Sequence, residues 1–137
     1  MFLHILKAKL HRATITGCSI EYSGSLTVDE AIMEQAGLLP NEMIWVFNIN
    51  NGQRFQTYLI PGERGSREIQ ANGAAARLVE VGDRIIVIAS AMLSQEEAAD
   101  YQPTILVMNE QNEVIRELKG FAPAVSGFDE AQSGDLV

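Results

Sequence analysis

Met43-Ile44-Trp45-Val46-Phe47-Asn48, followed by Ile49-Asn50-Asn51-Gly52 and then by Gln53-Arg54-Phe55-Gln56-Thr57-Tyr58-Leu59-Ile60, is the stretch on which the fold class turns. Its two flanking runs, residues 43–48 and 53–60, are rich in β-branched and aromatic residues. Asn-Gly between them supplies the positive φ angles of a tight turn, so the segment predicts a β-hairpin. Outward from it the same pattern repeats, with short β-type runs at residues 2–6, 13–16, 84–89, 104–109 and 114–118 separated by Gly, Asn and Pro. Two short helices carry start signals. Thr27-Val28-Asp29-Glu30 precedes residues 31–36 and Ser94-Gln95-Glu96-Glu97 precedes residues 98–100, each spaced as a capping box. Gly37 fits a left-handed cap that ends the first. Many short strands with few helices predict a mainly β fold, a small barrel.

The 137 residues, 47% of them hydrophobic, suit a single domain over residues 1–125. Residues 126–137 carry three acids and no base, which predicts a disordered tail. No apolar run reaches the ~18 residues of a membrane span, and the apolar start is too short for a signal peptide, so the expectation is a soluble cytoplasmic protein. The one cysteine, Cys18, cannot form an internal disulfide and reads as a small buried filler in a reducing compartment. Two histidines and one cysteine with no close pair do not make a His/Cys metal site. The net charge of −8 argues against nucleic acid as a partner. The first twenty residues nevertheless hold His4, Lys7, Lys9, His11 and Arg12 and no acid. If extended, Lys7, Lys9 and His11 share one face and Leu6, Ala8 and Leu10 the other. This reads as an edge strand with a solvated basic face, or as a basic patch suited to a small acidic substrate.

Six local motifs, in order, say more than composition does. Lys9-Leu10-His11-Arg12, Tyr22-Ser23-Gly24-Ser25, Asn51-Gly52-Gln53-Arg54-Phe55-Gln56-Thr57-Tyr58, Glu63-Arg64-Gly65-Ser66, Asn72-Gly73-Ala74-Ala75-Ala76 and Val81-Gly82-Asp83 together resemble the pyruvoyl-dependent aspartate 1-decarboxylase family. The likeness covers about residues 4 to 120; the first four residues fit less well and the acidic tail runs past the family's usual end. The resemblance implies a six-stranded double-psi β-barrel and a homotetramer with active sites between subunits. It also implies production of β-alanine and carbon dioxide from L-aspartate for pantothenate and coenzyme A.

The resemblance further implies a zymogen that cuts itself between Gly24 and Ser25. Ser25 Oγ attacks the Gly24 carbonyl to turn an amide into an ester, which a glycine tolerates because it lacks a side chain. Elimination and loss of ammonia leave a covalent pyruvoyl group at residue 25, with neither pyridoxal phosphate nor metal. The substrate amine forms a Schiff base with that ketone, which supplies the electron sink. By resemblance, Thr57 and Asn72 are the oxyanion donors, Tyr58 returns a proton to the α-carbon, and Arg54 and Lys9 hold carboxylates. Thr57 also lines the substrate site with Gly73, Ala74 and Ala75, while His11 and Tyr22 have supporting roles.

Each of these residues has a plainer use. Gly24-Ser25 also reads as a surface turn, Tyr58 as a packed strand aromatic, Arg54 as a solvated arginine, and residues 73–75 as the first turn of a short helix. The Glu63 and Val81 motifs read as turns that set strand direction. Two other functions fit the same residues: a pyruvoyl decarboxylase of another amino acid, and a non-catalytic barrel that binds an acidic ligand. A maturation helper protein is compatible with all of this.

Overall fold

The computed structural model describes residues 1–120, so the tail expectation for residues 126–137 lies outside the described residues. Nine strands are present among them: β1 (Phe2–Thr14), β2 (Gly17–Ser19), β3 (Ser25–Asp29), β4 (Met43–Asn48), β5 (Arg54–Gly62), β6 (Ile69–Asn72), β7 (Arg84–Ser94), β8 (Thr104–Met108) and β9 (Val114–Lys119). Two helices, α1 (Glu30–Ala36) and α2 (Gln95–Asp100), and a 3-10 turn at Gly73–Arg77 complete a mainly β architecture. The strands join in the order β2-β6-β3-β5-β4-β7-β1-β8-β9. Three of the pairings are parallel, β1 with β8, β2 with β6, and β3 with β5. None of the described helices is long and apolar enough to cross a membrane.

Strand alternation sorts the side chains into two faces. Val46, Val87, Leu10 and Leu106 stand in register across β4, β7, β1 and β8, and all four are buried. Burying each such side chain is worth about 2 kcal/mol over leaving it exposed. One residue to either side, Trp45 and Phe47 on β4 face the opposite way, and Trp45 is 42% exposed. The same alternation on β5 separates Arg54, Gln56 and Tyr58 from Phe55, Thr57 and Leu59.

The hairpin forms as expected, with Met43 opposite Tyr58 and Phe47 opposite Arg54. Its turn is looser than a two-residue one. Of the Asn-Gly pair only Gly52 takes a positive φ, 76°, and its amide donates to the Asn48 carbonyl at 2.8 Å. The Asn48 and Asn51 side chains accept the Asn50 and Gln53 amides, both at 2.9 Å, and so stabilise the longer loop.

Three expectations are corrected. The basic segment is not an edge strand, because β1 runs unbroken from Phe2 to Thr14 with β7 on one side and β8 on the other. Lys7 is engaged by Glu42 at 2.8 Å, and His11 is buried. Cys18 is exposed rather than a buried filler; its thiol is pushed up by partial burial and by Asp83 and Glu80. The capping box of α2 is present in full, between Ser94 and Glu97, but α1 starts differently. Thr27 lies inside β3, and Asp29 is the cap, accepting the Ala31 amide at 2.8 Å. Gly37 ends α1 in the left-handed conformation, φ 75°, as expected.

Asp29 also accepts the amides of Gly65 (2.9 Å) and Arg67 (2.8 Å), tying the turn at residues 63–66 to β3. Burial alone would raise this carboxyl, but the three amides with nearby Arg64 hold it below the ordinary carboxylate value. Its folded value therefore lies under its unfolded one. The stability it adds is complete above about pH 4 and is lost as pH falls through the lowered folded value. Asp29→Ala should destabilise the protein by about 2–4 kcal/mol near pH 7. The difference from the native protein should shrink in acid, as urea unfolding at several pH values would test; a difference independent of pH would remove Asp29 from this role.

Candidate active site

β3 and β6 run antiparallel with Ser25 opposite Asn72 and Thr27 opposite Gln70. A strand puts residues two apart on one face, so Ser25, Thr27, Gln70 and Asn72 converge. Ser25, Thr27 and Asn72 are buried. Asn72 Nδ2 donates to Ser25 Oγ and to Thr27 Oγ1, each at 2.9 Å. Ser25 Oγ in turn donates to the Ser23 carbonyl at 2.9 Å, and Gln70 Nε2 donates to Asn72 Oδ1 at 2.8 Å. A serine hydroxyl in a dry site is thus fixed from both sides, one residue after a glycine.

The peptide segment before Ser25 is clamped as well. Gly73 has φ 65°, and a Cβ there would stand 2.6 Å from Gly24 Cα, 2.8 Å from Gly24 N and 3.1 Å from the Tyr22 carbonyl oxygen. Only glycine lets the 3-10 turn press its backbone onto residues 22–24. That turn also brings Ala74 and Ala75 to a cleft of about 380 Å³, which Gly24, Thr57, Tyr58, Met43 and Phe55 help to line. Five residues singled out in the sequence, Gly24, Thr57, Tyr58, Ala74 and Ala75, therefore meet at one opening, with Ser25 and Asn72 buried beside it.

Other expected site residues are not gathered there. Arg54 is exposed on β5 with its guanidinium 4.7 Å from the centre of the Phe47 ring. Lys9 is half-buried on β1, and burial pushes its ammonium group below the usual lysine value. β5 and β1 are separated by β4 and β7 in the order β5-β4-β7-β1, and neither cation is among the residues that line the cleft. His11 is buried between Ile86 and Val107, and the Tyr22 side chain is exposed. Asn72 meets the serine oxygen itself, whereas Thr57 lies on the cleft side with Gly24. The sequence reading missed Thr27 and Gln70. Thr27 fits a helix-cap pattern, yet Ser25 and Thr27 have the i, i+2 spacing of one strand face, which is the signal for it.

The aspartate decarboxylase family matches residues 1–115. An aspartate 1-decarboxylase of Caldicellulosiruptor bescii is 50% identical over 116 residues, 85% of this chain and 91% of that protein. One from Bacillus subtilis is 48% identical over 124 residues, 90% of this chain and 97% of that protein. One from Chloroherpeton thalassium is 52% identical over 112 residues, 82% of each chain. With a buried, hydrogen-bonded serine after a clamped glycine and these likenesses along most of its length, the chain belongs to the aspartate decarboxylase family.

Proposed function

We propose that this chain is the precursor of a pyruvoyl-dependent aspartate 1-decarboxylase that cuts itself between Gly24 and Ser25. The mature protein then converts L-aspartate to β-alanine and carbon dioxide for pantothenate and coenzyme A, as a cytoplasmic homotetramer built on a double-psi barrel. The observation that carries this reading is the seat of Ser25, its Oγ held by Asn72 while Gly73 presses on Gly24.

In the precursor, Ser25 Oγ forms a bond to the Gly24 carbonyl carbon as the peptide C–N bond breaks and the nitrogen takes up the hydroxyl proton. Asn72, and Thr57 from the cleft side, donate to the oxygen that gains charge; one good donor is worth roughly 3 kcal/mol in acyl chemistry. Loss of the Ser25 α-proton breaks the ester Cβ–O bond, freeing the Gly24 carboxylate. Hydrolysis by water then releases ammonia and leaves a ketone at residue 25. The surroundings of Ser25 fit a group this small, since Ser25 is buried beside a cleft that Gly24 lines. When formed, the pyruvoyl group supplies an electrophile for the substrate amine and a sink for the electrons left by carbon dioxide.

This chain's side chains do the rest. Tyr58, on the cleft wall, holds the proton returned to the α-carbon, and Ala74 and Ala75 leave room for the substrate beside backbone amides. Arg54 offers a two-pronged carboxylate grip, and Lys9, a half-buried cation, gains from a carboxylate partner. Lys9 and Arg54 lie outside the cleft that Gly24, Tyr58 and Ala74 line, which supports sites completed by a second subunit.

Intact-mass measurement of freshly purified protein tests the reading. Two fragments are expected, residues 1–24 and residues 25–137, the larger one ammonia lighter than its serine-started form. That preparation should release carbon dioxide from L-aspartate and far less from L-glutamate. An active protein that is one uncut chain would overturn the mechanism, and equal turnover of the two amino acids would overturn the substrate.

A further inference from the structure

Asn72 is useful to Ser25 only with its amide the right way round. Both oxygens it faces belong to hydroxyls, which donate as readily as they accept, so Ser25 and Thr27 do not by themselves decide between the two orientations. We infer that Gln70 is a positioning residue for self-cleavage, its side-chain amide holding the Asn72 carbonyl so that the Asn72 NH2 faces Ser25 Oγ. The inference rests on the self-cleavage proposed above.

The geometry that carries it is one directed chain. Gln70 Nε2 donates to Asn72 Oδ1 at 2.8 Å, Asn72 Nδ2 donates to Ser25 Oγ at 2.9 Å, and Ser25 Oγ donates to the Ser23 carbonyl at 2.9 Å. In this direction Asn72 Oδ1, Asn72 Nδ2 and Ser25 Oγ each have a partner. Reversing Asn72 would turn the serine proton towards Asn72 and cost the hydrogen bond to the Ser23 carbonyl. Donation into Oδ1 also polarises the Asn72 amide and strengthens the donor that meets charge developing beside Gly24. Gly17, opposite Gln70 across β2 and β6, makes room for this arrangement, since a Cβ there would stand 2.8 Å from Gln70 Oε1. Gln70 does not line the cleft, and its hydrogen bond is to Asn72, through which it acts.

The test follows conversion of the freshly synthesised full-length chain into its two fragments by intact mass over time. Gln70→Met keeps length and removes the donor, and its cleavage should slow by about tenfold, the usual effect of one lost hydrogen bond. Gln70→Glu is the sharper variant. Ionised, it can only accept, so it turns the Asn72 NH2 towards itself and slows cleavage; protonated at lower pH, it donates as glutamine does, and cleavage should recover towards the native rate. The titratable groups on the segments around Gln70 are Cys18 on β2, Asp29 on β3, Glu68 before β6 and Arg77 on the 3-10 turn. All are present in both proteins, so the ratio of variant to native rate at each pH isolates residue 70. Native-rate cleavage by Gln70→Met, or a Gln70→Glu ratio that does not change with pH, would overturn the inference. Should Gln70→Met fail to fold, the Gln70→Glu ratio alone decides. A native chain that never cleaves would instead refute the proposed function.

Discussion

Ser25→Ala is expected to remain a single 137-residue chain with no decarboxylase activity, the largest effect any one substitution should have here. The substitution deletes the atom that must attack Gly24 and, with it, the side chain from which the ketone would be made. It changes little else. Thr27 still accepts from Asn72, β3 keeps its pairing with β5 and β6, and a methyl group suits a position that is 1% exposed. One hydrogen of the buried Asn72 amide loses its partner, about 1–3 kcal/mol of destabilisation, so a folded but immature chain is the expected product. Circular dichroism with intact mass would separate this from simple unfolding. If the folded variant is cut at residue 24, or releases carbon dioxide from aspartate, Ser25 is neither the nucleophile nor the source of the electrophile.

Tyr58→Phe should mature normally and then turn over roughly 10²- to 10⁴-fold more slowly, the span usual for loss of a positioned general acid. Tyr58 lies on β5 opposite Met43, on the wall of the cleft that Gly24 helps to line. It makes no hydrogen bond to the Ser25–Asn72–Thr27 network, so cleavage should not sense the change. The ring is kept and only the phenolic oxygen is lost, which leaves cleft shape and strand packing intact. Maturation half-time by intact mass and single-turnover release of carbon dioxide measure the two steps apart. Turnover within a few-fold of native would require a different proton donor, and slowed maturation would place the hydroxyl in the cleavage step instead.

The mainly β class, the β4–β5 hairpin and the α2 capping box were legible in the sequence because each depends on neighbours in the chain: alternation along a strand, an Asn-Gly turn, two side chains three residues apart. The ordered motifs likewise carried the family. What local pattern could not decide was partnership. The basic segment alternates like an edge strand, and only the parallel pairing with β8, nearly one hundred residues away, buries it and removes His11 from solvent. Thr27-Val28-Asp29-Glu30 satisfies a capping pattern. The antiparallel pairing with β6 makes Thr27 a strand residue and leaves the cap to Asp29, whose carboxylate gains two further amides from the turn at residues 63–67. Lys9 and Arg54 fall on strands with two others between them, an arrangement that spacing in the chain does not show. The sequence by itself determined the chemistry available and the local elements. The tertiary structure alone decided which groups meet, because long-range strand register, not spacing in the chain, fixes Asn72 against Ser25 and Gln70 against Asn72.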